Sequence, residues 1–335
     1  MRLGRRLTFI LSLCLVMATA ACGTKDDSSA KNGASADPAG SQVKVTTTEP
    51  AKKLKIQVSF YPMYEFTKQI AGELADVETL IPATVEPHDW EPTPQDIKHI
   101  EESDVLVYNG AGMEGWLDQV LGSVSNTKLV KVEASSGLEL MEGLEEEEDH
   151  EHKEVHAHDH GEMDPHVWLS PALAIKEVQN IELALAQAAP EHKDEFQKNA
   201  EAYILKLKEL DKDFEEGLRQ VKRKDFITQH AAFGYLAKEY DLVQVPIAGL
   251  SPEEEPSAAK MTEIVKFAKE HHVKTIFFET MATSKVADII AEEIGAKSAV
   301  LNPIEGLTEK DKTSGHDYLA LMRQNLESLK SALNE

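Results

Sequence analysis

The 335-residue chain carries 59 acidic against 35 basic side chains, a formal net charge of −24. That balance excludes a nucleic-acid or anionic-membrane surface, because phosphate recognition needs a basic footprint, and it favours cationic ligands. The length exceeds what one hydrophobic core supports comfortably, so two lobes are expected.

The chain opens like an export signal. Arg2, Arg5 and Arg6 precede an apolar stretch from Phe9 to Met17, and "ATAAC" ends at Cys22. The apolar run is too short for a membrane span. Small residues ahead of Cys22 resemble a bacterial lipobox, in which the cysteine is lipidated and becomes the mature N-terminus, although Thr19 stands where Leu is usual. The alternative is an ordinary signal peptide (residues 1–21) cleaved near Ala21. Either way the protein leaves the cytoplasm. Cys14 lies within the signal, so the mature chain keeps only Cys22 and can form no internal disulfide. Residues 22–53 hold almost no large apolar side chain, and a disordered tether is expected there.

From residue 54 onward, short β-branched runs alternate with segments of helical period, the pattern of parallel α/β structure. Strands are predicted at 54–60, 77–81, 105–108 and 128–132, with helices starting near Pro62, Pro94 and Met113. An interruption rich in His and acids spans 145–162, and two helical stretches follow it, 171–189 and 191–221. The second is about thirty residues, or roughly 45 Å at 1.5 Å per residue, long enough to run the length of the molecule. Strands resume at 226–228, 242–246, 275–278 and 299–301, and a last helix spans 317–333. The expected organisation is thus an N-terminal lobe (54–190), a linking helix (191–222) and a C-terminal lobe (223–335).

Open parallel sheets bind ligands outside the carboxyl ends of their strands. In that position lie His88, in "PATVEPHDWEPTP"; His230, in "QHAAFGYLA"; and Glu279, at the end of "FFE". His166 in "DPHVWLSP" sits in a Pro-flanked turn just before a helix. Imidazole nitrogen and carboxylate oxygen are ligands that Zn2+ takes, and two lobes each supplying two of them would hold an ion in the intervening cleft. Trp90 and Trp168 each follow a candidate ligand by two residues and could shield the metal. Asp89 and Asp164 are candidates to orient the imidazole rings. Tyr61, Tyr64 and Phe66 read as helix-packing residues. His99, His192, His271, His272 and His316 read as solvated surface.

The segments "VSFYPMYEFTKQIAG", "VEPHDWEPTPQDI", "DVLVYNGAGMEGWLDQVL", "DPHVWLSP", "QHAAFGYLAKEY", "FFETMATSKVADIIAEEIGA" and "LNPIEGLT" resemble the cluster A-I metal-binding lipoproteins of ABC transporters, specifically the zinc-uptake type. The resemblance implies a metal held between two α/β lobes joined by a long rigid helix. It also implies delivery to a membrane permease and its ATPase by a monomer tethered through its N-terminal lipid. By the same resemblance the ligands are His88, His166, His230 and, as the fourth, Glu279. Manganese-binding relatives typically carry a carboxylate at the position of His230, and three imidazoles favour zinc over manganese. A manganese-binding protein or an adhesin of the same family is the alternative. A zinc hydrolase is a weaker rival, since the sequence offers no HExxH helix.

His150, His152, His156, His158 and His160 lie among acids with no packing residues around them. Such a stretch cannot bury enough apolar area to order itself, and a mobile metal-collecting loop is expected. A solvated acidic linker is the alternative.

Overall fold

The computed structural model describes residues 53–143, 163–282 and 285–335. The export signal, Cys22, the tether short of Lys53 and the five histidines from His150 to His160 lie outside the described residues.

The first lobe runs β1 (Leu54–Val58), α1 (Tyr61–Ala71), β2 (Ala75–Thr79), α2 (Pro94–Glu101), β3 (Val105–Tyr108), α3 (Leu117–Ser123) and β4 (Val130–Glu133). Two helices follow, α4 (Pro171–Ala188) and α5 (Lys193–Leu218). The second lobe comprises β5 (Asp225–Thr228), α6 (Gly234–Glu239), β6 (Val243–Pro246), α7 (Ala258–Glu270), β7 (Thr275–Phe278), α8 (Lys285–Ile294), β8 (Lys297–Val300), α9 (Glu309–Ser314) and α10 (Tyr318–Leu333). Each lobe holds a four-stranded parallel sheet, in the orders β2-β1-β3-β4 and β6-β5-β7-β8. The two-lobed parallel α/β architecture expected from the alternation is therefore present.

The central strands, such as VLVY and TIFF, are continuous apolar runs because helices cover both faces of a parallel sheet. Where strand bounds differ from expectation, burial explains the shift. Leu80 and Ile81 are buried and extended the apparent second strand, although the ladder with β1 ends at Thr79. Edge strand β8 is mostly exposed, so its start at Lys297 carries no apolar signature. Helix α3 begins at Leu117 rather than near Met113 because the chain first makes turns, Met113 bonding back to Gly110 O and Leu117 to Glu114 O, with the Glu114 carboxylate accepting the amides of Asn109 and Gly110.

The long α5 has 26 residues, about 39 Å at 1.5 Å per residue. Acids in its first turn, Asp194 and Glu195, suit the positive end of the helix. Its buried face is Phe196, Ala200, Tyr203, Leu207, Leu210, Phe214 and Leu218, a spacing of three and four that lays one stripe against the core. That stripe packs with α1, α4 and α10, so the helix touches elements from both lobes.

One hydrophobic cluster runs from the first lobe into the second. It includes Phe60, Phe66 and Trp168 from one side and Phe233, Leu301, Ile304 and Tyr318 from the other. Phe60 meets Trp168 edge to face with centroids 5.0 Å apart, and Phe66 meets Tyr318 at the same separation. The lobes thus share a core. Leu207→Ala in α5 should lower unfolding stability by about 2–5 kcal/mol through the cavity it leaves, as measured by denaturant titration. Leu205→Ala, two residues away but 67% exposed, should change stability by less than about 0.5 kcal/mol.

Candidate metal centre

Four side chains converge at the carboxyl ends of the two sheets. His88 comes from the loop between β2 and α2, His166 from the turn before α4, His230 from the end of β5, and Glu305 from the turn between β8 and α9. Three of these segments end in helix caps written into the sequence. Thr93 and Thr308 form capping boxes with Asp96 and Asp311, and Ser170 caps α4 by accepting from the amide of Leu173.

The donor atoms form a compact polyhedron. Nε2 of His166 lies 3.3 Å from Nε2 of His88 and 3.3 Å from Nε2 of His230. Oε1 of Glu305 lies 3.3 Å from Nε2 of His88, and 3.4 Å from Nε2 of both His166 and His230. Four donors each about 2.0–2.1 Å from a tetrahedrally held ion are about 3.3–3.4 Å from one another, so five edges of this polyhedron have the length that zinc coordination requires. The site is buried. His166 and His230 side chains are fully covered, and only His88, at 10%, meets solvent.

Carboxylates behind two of the rings fix their orientation. Asp164 Oδ1 lies 2.8 Å from Nδ1 of His166 and also accepts the His166 amide N–H at 2.9 Å. Glu279 Oε1 lies 2.5 Å from Nδ1 of His230 and accepts its amide N–H at 3.2 Å. Each carboxylate accepts a hydrogen bond from Nδ1–H, which in the neutral ring leaves Nε2 with a lone pair aimed at the centre. Glu86 accepts the backbone N–H of His88 at 3.1 Å. Asn109 donates to Pro165 O at 3.0 Å and Tyr235 donates to Asp164 O at 2.7 Å, so both lobes hold the His166 turn.

Three of the four expected ligands are brought together, and the fourth needs correction. Glu279 is buried at the end of β7 beside β5, where its carboxylate is committed to the amide and Nδ1 of His230. The oxygen donor in the cluster belongs to Glu305. The same rule that located the other candidates, a polar residue on a turn after a parallel strand, applies to "LNPIEGLT" after β8, but a lone Glu beside Gly306 carries no motif of its own. The turn is held in an uncommon shape: Ile304 has φ +59°, which for a β-branched residue costs on the order of 1–3 kcal/mol. Asn302 Oδ1 accepts the Ile304 amide at 2.8 Å and Asn325 in turn bonds Asn302 at both its amide and its carbonyl.

The other candidates divide. Trp168 is fully buried with its ring centroid 5.2 Å from that of His166, whereas Trp90 packs against Trp116 at 5.5 Å, half-buried between the main core and a smaller cluster. Asp164 orients a ring as expected. Asp89 is an exposed residue whose amide bonds Glu86. Tyr61 and Phe66 belong to the shared core, with Tyr64 packed against it.

Electrostatics in the absence of an ion follow from this geometry. At Glu305 burial disfavours the charge, but hydrogen bonds from His166, His230 and His88 outweigh it and hold the carboxyl well below its usual range. Burial likewise disfavours protonation of His230, yet Glu279 and Glu305 prevail and raise its pKa to about 10. His166 is raised as well, its burial offset by Asp164 and Glu305.

Residues 56–332 match the family described as zinc-uptake complex component A, periplasmic. The high-affinity zinc uptake system protein ZnuA of Bacillus subtilis is 51% identical over 325 residues, covering 97% of this chain and 96% of that protein. The zinc-binding lipoprotein AdcA of Streptococcus pneumoniae is 46% identical over 283 residues, and the matched part covers 84% of this chain but 56% of AdcA. Among solved structures, the Zn(II)-bound ZnuA-like domain of Streptococcus pneumoniae AdcA is similar with a TM-score of 0.73 at 43% identity, covering 85% of this chain and all of that one. The metal-dependent lipoprotein YcdH of Bacillus subtilis matches with a TM-score of 0.72 at 50% identity, covering 84% of this chain and all of its own. In fold and in sequence over nearly all the described residues, the chain belongs to the ZnuA family of zinc-uptake complex components.

Proposed function

We propose that the protein captures Zn2+ outside the cytoplasm and delivers it to an ABC permease. The observation that carries the reading is the polyhedron of three imidazole nitrogens and one carboxylate oxygen with zinc-length edges. The ligands are His88, His166, His230 and Glu305, with Asp164 and Glu279 orienting two of the rings. Three nitrogen donors favour zinc over manganese, which takes oxygen. A catalytic zinc keeps one position for water, and four protein donors fill a tetrahedral shell, so the site suits capture rather than hydrolysis. The name of the AdcA relative supports a lipid anchor at Cys22. Among the described residues no helix is long and apolar enough to cross a membrane. We assign the histidines from His150 to His160 to metal collection ahead of the buried site.

Calorimetric titration of the soluble region with zinc and with manganese tests the assignment. One zinc should bind tightly. His230→Ala and Glu305→Ala should each weaken it by more than the roughly 10–100-fold that loss of an outer partner costs, and Glu279→Gln should stay within that range. Removing residues 145–162 should leave the tight site untouched. Manganese binding as tight as zinc, or a Glu305→Ala protein that still binds like wild type, would sink the zinc reading or the ligand set respectively.

The protonation of His230 sets a second expectation. Zinc requires the neutral ring, so a proton held up to about pH 10 must leave as the ion enters. Apparent affinity should therefore fall as pH drops from about 10, by about tenfold per unit for each proton displaced, rather than only near the ordinary histidine value of about 6.5. Titration at pH 8.5 in buffers of different ionisation heat should show close to one proton released per zinc, and Glu279→Gln should reduce that number. Release of no proton at pH 8.5 would show that His230 is not held this way.

A further inference from the structure

The Glu305 turn crosses from the second lobe to the first, and it is gripped symmetrically. Two residues before Glu305, Pro303 O accepts the indole N–H of Trp168 at 2.8 Å. Two residues after it, the amide of Leu307 donates to Ala83 O at 2.7 Å. Trp168 follows His166 by two residues and Ala83 precedes His88 by five. Each segment of the first lobe that carries a candidate ligand thus bonds the chain flanking Glu305.

The second of these bonds depends on a glycine. A β-carbon at Gly306 would lie 2.2 Å from Ala83 O and 2.8 Å from the sulfur of Met281. The sulfur sits on a flexible side chain that can turn away. The carbonyl is less free, because the turn that holds it is tied on both sides of Ala83: Ile81 donates to Ser59 O, and Val85 closes onto Pro82 O. Only a residue with no side chain allows the two backbones to meet.

We propose that Gly306 is a positioning residue, and that the Leu307–Ala83 bond it permits latches the His88 loop to the Glu305 turn and so governs how long the metal is held. This rests on the zinc-capture reading above. His88 is the ligand that meets solvent, so the loop carrying it borders the path by which an ion leaves. With the latch closed, His88 and Glu305 sit on one bonded unit and must separate from the ion together. With it broken, either can leave alone. By thermodynamic reciprocity, a latch that strengthens zinc binding is itself strengthened by zinc.

The test compares the full chain with Gly306→Ala, following zinc release to a chelator by stopped flow, with thermal melting in the absence of zinc as a control on folding. Release should be roughly 10–100-fold faster, the range seen when groups supporting a metal ligand are disturbed. One-to-one stoichiometry should be kept, and the zinc-free variant should still melt in a single cooperative transition. The double variant Gly306→Ala/Met281→Ala should remain fast, since it relieves the sulfur contact and leaves the Ala83 carbonyl in place. In wild type the Leu307 amide should exchange with solvent more slowly when zinc is bound. Wild-type release from Gly306→Ala, restoration by Met281→Ala, or Leu307 exchange indifferent to zinc would each overturn the latch and leave zinc capture standing. If Gly306→Ala does not fold, the exchange measurement decides alone. A wild-type chain that fails to bind zinc tightly removes both readings.

Discussion

Everything at the centre depends on bringing three imidazole nitrogens and one carboxylate oxygen together, with five of their six mutual distances at 3.3–3.4 Å. Close approach of such groups is electrostatically favourable only if a cation lies among them, whether protons or a metal ion. Protons are the default occupant, and the raised pKa values of His166 and His230 express this. The same carboxylates that keep those rings basic also orient them to present Nε2. Asp164 and Glu279 therefore do two opposed things: they improve each imidazole as a ligand and they stabilise the proton with which zinc competes. A site built this way binds zinc as an exchange of cations, so its strength depends on pH as well as on geometry.

Holding the polyhedron together falls to the shared core. Phe60, Trp168, Phe233, Ile304 and Tyr318 belong to one cluster, so the wall between the lobes is packed rather than hinged on a thin linker. Tyr318 also donates to the backbone carbonyl of Trp168, and Tyr235 to that of Asp164, each from the second lobe to the first. Rotating one lobe against the other would tear apolar contacts and expose bonded backbone groups. A rigid frame leaves the loops as the parts that can respond, and of the four converging side chains that of His88 is the least buried.

Much of this was legible in the sequence because it rests on local rules. Alternation of apolar runs with helical period gave both sheets and their order along the chain, and prolines marked where two of the ligand loops end, as at Pro94 and Pro171. His88, His166 and His230 stood out because histidine is uncommon and each occupied a turn at the end of a strand or the start of a helix. Glu279 and Glu305 could not be ranked that way. Both are single carboxylates on turns after adjacent parallel strands, and which one faces the centre is decided by tertiary contacts: Glu279 is captured by the Nδ1 side of His230, and Glu305 is lifted over the cleft by a strained turn. The left-handed φ of Ile304 and the close approach at Gly306 have no local sequence signature, since the first sits in a turn braced by the distant Asn325 through Asn302 and the second meets Ala83 of the other lobe.

A capture protein must hold its ion against competitors and still give it up, and the distribution of support among the ligands reconciles these demands. His166 and His230 are fully covered and gripped from behind by carboxylates, so they define the site whether or not an ion is present. Glu305 reaches the centre on a turn that is bonded to the first lobe on both flanks and braced by Asn302 and Asn325 within its own. His88 is held through its backbone N–H by Glu86, on a loop that borders solvent. Rigidity therefore falls off from the buried pair toward the surface, and the ordering of the ligands by burial is also an ordering by ease of withdrawal.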